Sequence, residues 1–402
     1  MEYKEKLYLE WNENVHYALD FSKWWSKALG VWPWRPNQIL CTVQASSIAS
    51  IVMTAAVSSS MQLLTKGSCG VITDLLDILS GILVFSGTAV KIICLSFHQQ
   101  QMRYIILSMI DDWLNINETK SCKIMYQYAY WGRLAFILQI TGTFVAMALT
   151  TWIDPPTIKS EISQNDSAAI RHMLLAPSCW VPITMSLNVY LLYYSFMFIA
   201  TFCSVLTYAG CDAFMFSAAL HLCGQFEILE ANIEDLSDED NQSIQKYKIK
   251  KYSKRHNHLI LLGKRMNILV SGIILSELLS NSVLICGSGI VVLATVQTGN
   301  VNRVVISWAA RIYVWYMEFF MYCYVGEKIA SHADRLRSIV YNCRWYNMSF
   351  HIAKDMEFMI MRNNYFCHLT GGDFLIMNHE SFAKITKVMF SFFSVLRFMI
   401  EP

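Results

Sequence analysis

Charged side chains are scarce in this sequence: Asp, Glu, Lys and Arg make up 15% of its 402 residues, while hydrophobic residues make up 54%. A soluble domain carries roughly 25% charged residues, so the composition excludes an ordinary water-soluble protein. The two signs of charge nearly cancel, leaving a net charge of +2. Because nucleic-acid binding needs a marked excess of basic charge, we expect no nucleic-acid partner.

Motifs of enzymes and metal sites are also missing. The sequence contains no Gly-x-x-x-x-Gly-Lys, Gly-x-Ser-x-Gly or His-Glu-x-x-His, the patterns that hold phosphate, a nucleophilic serine or catalytic zinc. His256 and His258 point to different faces of a helix, which disfavours a shared metal. The 12 cysteines lack short paired spacing, although Cys69 and Cys179, near the predicted outer face, leave a disulfide open. We therefore predict no enzyme, no cofactor and no metal site.

The sequence is instead rich in long apolar runs. A helix needs about 20 apolar residues to cross the hydrocarbon layer, and no such run precedes residue 38, so no cleavable signal peptide is expected. Lys91 lies near the inner end of the second run, where we expect its stem to reach the headgroups. Seven runs are long enough, at 38–60, 72–97, 128–152, 179–208, 267–297, 302–325 and 378–398.

Basic residues between these runs predict the orientation. Lys and Arg number 5 before the first run, 3 in 98–126, 8 in 209–266 and 6 in 326–373, but only 5 on the opposite side. Since loops rich in Lys and Arg stay in the cytoplasm, the N-terminus is predicted to be cytosolic and the C-terminus extracellular. This is the reverse of a G-protein-coupled receptor.

Helical periodicity continues beyond the membrane in several places. Apolar residues recur every three or four positions from Tyr208 to Asp235, from His256 into the fifth run, beyond Glu327, and through 350–368. The apolar faces of four such extensions must be buried, either against each other or against a second subunit.

The last run has two unlike faces. At 100° per residue, the bulky side chains of Ile385, Met389, Phe392, Phe393 and Leu396 lie on one face. The opposite face is slim and carries Lys384, Lys387, Val388, Ser391, Ser394 and Val395. Such a face suits a narrow aqueous path, but serines that bond to their own helix carbonyls would give the same pattern.

The outer halves of the other runs offer aromatic residues and Met with few charges. Phe144 and Met147 lie in the third run, Tyr190 and Tyr193 in the fourth, and Tyr313 and Tyr316 in the sixth, three residues apart and therefore predicted to share one helix face. Such side chains could line a pocket for a small apolar ligand. Packed or lipid-facing aromatics would look the same.

Ordered motifs in the C-terminal half resemble those of insect odorant receptors, and Gly30-Val-Trp-Pro33 resembles their hymenopteran branch. The motifs are His221-Leu-Cys-Gly-Gln-Phe-Glu-Ile-Leu229, His256-Asn-His258, Cys323-Tyr-Val-Gly-Glu327, Trp345-Tyr346, Leu369-Thr-Gly-Gly372 and Ser391-Phe-Phe-Ser-Val-Leu396.

The resemblance implies an all-α membrane protein with seven transmembrane helices and a cytosolic anchor domain. It further implies an odorant-gated, non-selective cation channel, in which this chain joins a co-receptor in a tetramer in the plasma membrane of olfactory sensory neurons. A small volatile ligand and membrane lipid are then the other partners. Residues 1–37 become a cytosolic lead-in, 38–208 the first four spans with the ligand pocket, 209–372 the anchor extensions with two further spans, and 373–402 the pore-lining span.

The resemblance also implies particular site residues. It places the ligand pocket in the outer halves of the second, third, fourth and sixth spans, and it maps the hydrophobic constriction of the pore to Val395, beside Ser394. Where the family usually has Ser-Tyr-Phe, this sequence has Ser391-Phe-Phe, so Phe392 lacks the hydroxyl for any hydrogen bond made at that position, while the pore assignment is unaffected. The predicted ligand-binding residues are Leu83, Phe144, Met147, Tyr190, Tyr193, Tyr313 and Tyr316, and the predicted pore residues are Ser391, Ser394 and Val395.

Two other classes of protein fit seven spans. A metabotropic receptor would have the opposite orientation and an Asp-Arg-Tyr or Asn-Pro-x-x-Tyr motif, which this sequence lacks. A gustatory receptor channel would end in a Thr-Tyr and Gln-Phe pattern, which Ser391-Phe392 and Arg397-Phe398 do not reproduce.

The orientation yields a direct test at the glycosylation sequons. Of the four Asn-x-Ser/Thr sites, at Asn117, Asn165, Asn241 and Asn347, only Asn165 is predicted to face outward, where glycans are added. Glycosidase treatment should therefore increase the gel mobility of the wild type and the Asn241→Gln variant but leave Asn165→Gln unchanged. A glycan on Asn241 would contradict the orientation.

Overall fold

The computed structural model describes residues 11–34, 38–67, 72–116, 118–153, 173–175, 180, 186–236, 241–297, 303–343, 345–363 and 368–400. Nearly all of these residues are helical, because a backbone in lipid must satisfy its hydrogen bonds within the segment. Asn165, at the predicted glycan, and Cys69 and Cys179, of the possible disulfide, lie outside the described residues.

Ten α-helices and one short hairpin follow one another along the described chain. The helices are α1 (Glu13–Ala28), α2 (Gln38–Lys66), α3 (Ile72–Phe97), α4 (Gln99–Leu114), α5 (Thr119–Ile153), α6 (Leu187–Glu234), α7 (Gln242–Gln297), α8 (Arg303–Asn342), α9 (Phe350–Asn363) and α10 (His379–Ile400). A 3-10 turn (Trp345–Asn347) precedes α9, and the strands β1 (Thr370–Gly371) and β2 (Leu375–Ile376) precede α10.

Five helices are long and apolar enough to cross a membrane by length and composition: α2, α3, α5, α6 and α7. The two remaining predicted spans correspond to α8 and α10. The mean hydropathy of α8 is lowered by Arg311, Glu318 and several Tyr and Trp residues. The helices α6 and α7 contain 48 and 56 residues. At about 1.5 Å per residue, each is at least twice as long as the hydrocarbon layer is thick, so both project well beyond it.

The projecting ends pack against one another. One large core joins α1, α4, α9, the C-terminal parts of α6 and α8 and the N-terminal part of α7, a group that we call the anchor region. Each fully buried Leu or Phe side chain there contributes roughly 1.5–3 kcal/mol. Buried members of this core include Leu19, Ile106, Trp113, Leu222, Phe226, Leu259, Leu336 and Ile352. The apolar faces of the extensions are therefore covered largely within one chain, while Tyr247, Tyr341, Phe350 and Phe358 remain exposed.

The Gly371-Gly372 pair forms a tight hairpin between the anchor region and α10. Strands β1 and β2 pair antiparallel, and Gly372 and Asp373 both have positive φ angles, 64° and 62°. The side chains of α7 hold this turn, because Asn267 Oδ1 accepts the Thr370 N–H at 2.8 Å and Ser271 Oγ accepts the Asp373 N–H at 3.0 Å. Thus α10 starts from a point fixed to α7.

Gly326 lets the hairpin lie directly on α8. A Cβ atom at this position would overlap the backbone carbonyl oxygen of Met377, so Gly326→Ala must push the hairpin away. We expect a loss of about 1–3 kcal/mol, typical of overpacking. Gly272→Ala in α7 is the matched control, since a Cβ there meets nothing within 4 Å and alanine favours a helix by roughly 0.5–1 kcal/mol.

Thermal unfolding of the purified variants in detergent measures the difference. The melting temperature should fall for Gly326→Ala and hold or rise for Gly272→Ala. Equal shifts in the two variants would show that Gly326 has no special contact.

Candidate functional site

An apolar cavity of about 110 Å³ lies between α3, α5, α6 and α8. These are the second, third, fourth and sixth predicted spans. The cavity is lined by Ser80, Gly81, Val84, Thr143, Ala146, Met147, Thr150, Leu175, Thr201, Ser204, Val205, Tyr208, Arg311, Val314 and Trp315.

Most polar groups of this wall are already engaged. The hydroxyls of Thr143, Thr201 and Ser204 donate to carbonyls of their own helices at 2.9–3.0 Å, so they present largely apolar surfaces. Arg311 Nη1 lies 2.8 Å from Asp77 Oδ1, and its Nη2 donates to Thr150 Oγ1 at 3.2 Å. The cavity therefore suits a small apolar molecule with few hydrogen bonds.

One of the seven predicted ligand residues, Met147, lines this cavity. Phe144 packs near Phe202, with the ring centroids 6.2 Å apart. Tyr190 is fully buried in a cluster with Met173 and Leu174, and Tyr193 packs against the same cluster. The Tyr193 hydroxyl accepts a hydrogen bond from Gln62 Nε2 at 3.0 Å. Leu83 is half-buried beside the cavity-lining Val84.

The structure separates Tyr313 from Tyr316. Tyr313 packs towards Gly142 of α5, whereas the Tyr316 hydroxyl lies 3.2 Å from Thr386 Oγ1 of α10. A spacing of three places two side chains about 60° apart on a helix, which is enough for α8 to present them to different neighbours. The shared face predicted from the spacing therefore does not bring the two tyrosines to one pocket, because their side chains contact different helices.

A buried cluster of charges lies next to the cavity. Lys91 of α3 is fully buried, and its Nζ lies 2.9 Å from Asp212 Oδ1 of α6 and 2.9 Å from Glu318 Oε1 of α8. It also contacts Glu277 of α7. The hydroxyl of Tyr322 donates to Asp212 Oδ1 at 2.8 Å. One ammonium thus joins four helices, and we call these four charged residues the Lys91 cluster.

The expectation that Lys91 reaches the headgroups is wrong. Its Nζ is directed into the protein because three carboxylates from other helices meet there, and an ammonium is far more stable beside them than in lipid. Oxygens of these carboxylates lie within 4.8 Å of one another, close enough to bind a metal ion. In this structure the Lys91 ammonium contacts all three carboxylates and fills the place of that cation.

Tyr208 connects the cavity to the Lys91 cluster. Its side chain lines the cavity, and Lys91 Nζ lies 3.8 Å from the centre of its ring, a cation–π distance. Reasoning from sequence missed Tyr208, Arg311 and the cluster. The available signal was the presence of Lys91, Glu277, Arg311 and Glu318 inside predicted spans, where charges are costly and mark functional sites.

The predicted pore residues lie on an open face of α10. Ser391, Ser394 and Val395 are exposed, as are Lys384, Lys387 and Val388, whereas Met389 is buried and Ile385 and Phe393 are half-buried. Phe392, assigned by periodicity to the bulky face, is exposed. Ser394 Oγ donates to the Phe390 carbonyl at 2.9 Å. The slim face is thus uncovered along the described part of α10.

A second buried ionic site holds the anchor region together. Asp112 of α4 accepts a hydrogen bond from Arg255 Nη2 of α7 at 2.6 Å and lies 3.0 Å from His221 Nε2 of α6. Burial opposes its ionisation, but the His221 hydrogen bond and the Arg255 charge outweigh this effect and hold the pKa of Asp112 below its ordinary value. The lowered pKa stabilises the fold at neutral pH, and this stabilisation is lost only as the pH falls below about 4.

The fold defines a multi-pass, all-α membrane protein with an apolar cavity among four of its helices. The chain matches the family model described as 7tm Odorant receptor over residues 72–390. Because this match covers most of the sequence, the chain belongs to the odorant receptor family.

Curated relatives and solved structures agree with this assignment. The chain is 26% identical over 239 residues to Odorant receptor 13a of Drosophila melanogaster, covering 55% of this chain and 54% of that protein. It is 22% identical over 266 residues to Odorant receptor 67c of the same species, covering 63% of each. These alignments therefore span between half and two thirds of the relatives.

The fold matches the insect olfactory receptor OR5 from Machilis hrabei in complex with eugenol, with a TM-score of 0.78 and 12% identity, covering 96% of this chain and 100% of that one. The same receptor without eugenol gives a TM-score of 0.74 and 12% identity, covering 95% and 99%. The fold is thus that of a seven-span helical membrane protein, with α8 and α10 as the sixth and seventh spans.

The Lys91 cluster predicts a large effect of a single substitution. Lys91→Met leaves three buried carboxylates without their cation, and breaking such a pair costs about 3–5 kcal/mol. We expect a sharply lower melting temperature or yield of folded protein. Adding Glu277→Gln should restore part of the loss, because it removes one of the unpaired charges. Lys354→Met, at an exposed lysine of α9, is the control, and an equally mild effect at Lys91 would contradict the structural role.

Proposed function

We propose that the chain is the odorant-binding subunit of a ligand-gated, non-selective cation channel, a receptor rather than an enzyme. In this proposal it assembles as a tetramer with the odorant receptor co-receptor in the plasma membrane of olfactory sensory neurons. The observation that carries the proposal is the combination, in one chain, of an apolar cavity and a final helix whose slim face is uncovered.

The ligand binds in the cavity among α3, α5, α6 and α8. Met147 supplies a flexible wall that adapts to different shapes, and Trp315 and Val314 give it apolar area. A ligand of about ten heavy atoms gains roughly 0.3–1.5 kcal/mol per atom. This is enough for micromolar binding and for a shift of a few kcal/mol between closed and open states.

The signal passes through the Lys91 cluster. A ligand that moves Tyr208 changes the contact of its ring with Lys91 Nζ, and Lys91 holds Glu277 of α7 and Glu318 of α8. These two helices support α10 from behind, since Phe382 packs on Phe319 of α8 at a ring distance of 5.1 Å and Phe393 lies against Gly289 of α7. Displacement of α7 and α8 therefore changes the position of α10.

The pore lies along the slim face of α10, with Val395 as its constriction. A ring of apolar side chains, one from each of the four subunits, excludes water when the side chains are close together and admits hydrated cations when they separate. The anchor region holds the subunits together at the predicted cytosolic side, so that motion is concentrated in the membrane-spanning part.

Val395 offers the sharpest test. Val395→Ser should raise the ligand-free current of cells that express the chain together with the co-receptor, because a hydroxyl lets water remain in the closed constriction. Val57→Ser is the matched control: Val57 and Val395 are similarly exposed, at 54% and 56%, but Val57 lies on α2. Cells that lack the co-receptor should show no current. A closed state unchanged by Val395→Ser would remove this residue from the gate.

A further inference from the structure

A second apolar cavity lies behind the proposed pore helix. It has a volume of about 380 Å³, larger than the first cavity, and lies between α7, α8 and α10. The first cavity lies on the other side of α8, towards α5 and α6. The lining of the second cavity includes Cys286, Gly289, Tyr316, Thr386, Met389 and Phe393.

The wall of this cavity carries one pair of hydroxyl groups. Tyr316 Oη and Thr386 Oγ1 lie 3.2 Å apart, and either can donate to the other. When one hydroxyl donates within the pair, the hydrogen of the second remains for a ligand, since each group has one hydrogen and two lone pairs. Cys286 Sγ lies 3.7 Å from the Met389 carbonyl oxygen, to which it donates weakly. The cavity thus combines apolar walls with a single polar point.

Gly289 shapes the wall on α7. A Cβ atom at this position would lie 3.0 Å from the ring of Phe393, so the glycine allows this ring to lie close against α7. Met389 and Phe393 line the cavity, whereas Ser391 and Ser394 lie on the exposed slim face of α10. A molecule in the cavity would therefore press on the side of α10 that lies away from its exposed slim face.

We propose that this cavity is a second binding site, for a small apolar molecule with one hydroxyl or carbonyl group, such as a medium-chain aliphatic alcohol, that enters from the membrane. An alcohol fills the apolar volume and bonds to the Tyr316 and Thr386 pair. The acyl chain of a lipid fits less well, because it has no polar atom along its length to meet the hydroxyls. Binding at this site does not depend on the proposed channel function. Only an effect of the bound molecule on channel opening rests on that proposal.

Photolabelling with a diazirine derivative of 1-octanol tests the site. The full chain, expressed with the co-receptor in membranes, is irradiated with this probe and mapped by mass spectrometry. We expect label on the cavity-lining residues of α7 and α10, displaced by excess 1-octanol. Absence of displaceable label there would overturn the proposal, including the case in which a neighbouring subunit fills the space. Because labelling requires no current, a labelled but silent receptor would leave the site standing and contradict the channel function alone.

Two kinds of variant locate the label. Cys286→Trp fills the second cavity and should abolish the label on α7 and α10, whereas Ala146→Trp, which fills the first cavity, should leave this label unchanged. Thr386→Val keeps the side-chain shape, removes one hydroxyl and should weaken displacement by 1-octanol about fivefold, the effect of one lost hydrogen bond. Label that persists in Cys286→Trp, or displacement unchanged in Thr386→Val, would contradict the assignment.

Discussion

The contact between Lys91 and three buried carboxylates is the constraint on which the membrane part of this structure depends. A lone ammonium or carboxylate in lipid is too costly to persist, so the four charged residues of the Lys91 cluster, one from each of α3, α6, α7 and α8, can be buried only if they meet. The Lys91 cluster thereby fixes the rotation of four helices about their axes as well as their distances. Hydrophobic packing fixes such rotations poorly in lipid, because lipid tails are as apolar as leucine side chains.

The two cavities and the anchor region each include helices that also contribute to the Lys91 cluster. Tyr208 lies between Lys91 and the first cavity, and α8 contributes to both cavities as well as to the cluster. Below the cluster, α6 and α7 continue without interruption into the anchor region, where Asp112, His221 and Arg255 form a second ionic contact. A displacement of side chains at the first cavity can therefore be transmitted along α6 and α7, which are joined to other helices by the Lys91 cluster and by the ionic contact of Asp112.

Sequence could predict the elements of this fold but not all of their neighbours. Composition and run length identify the long apolar helices, and the period of three and four predicts the extensions of α6 and α7, since both depend only on local order. The Gly371-Gly372 break was predictable too, but not the hairpin, because its pairing depends on the positions of Asn267 and Ser271 in α7. Lys91 was misplaced for the same reason: its partners lie 121 and 227 residues away along the chain. Tyr313 and Tyr316 share a stripe in projection, yet their neighbours come from different helices.

The final helix is held on one side only in the described part of the chain. The hairpin fixes its start to α7 and α8, and its bulky face packs on the same two helices through Phe382, Met389 and Phe393. Its slim face, with Ser391, Ser394 and Val395, has no cover in the described chain. A helix held on one side can move without breaking a buried charge, because the Lys91 cluster contains no residue of α10. The buried charges and the uncovered face of the final helix are thereby separated within one chain, which is the arrangement that the proposed gate requires.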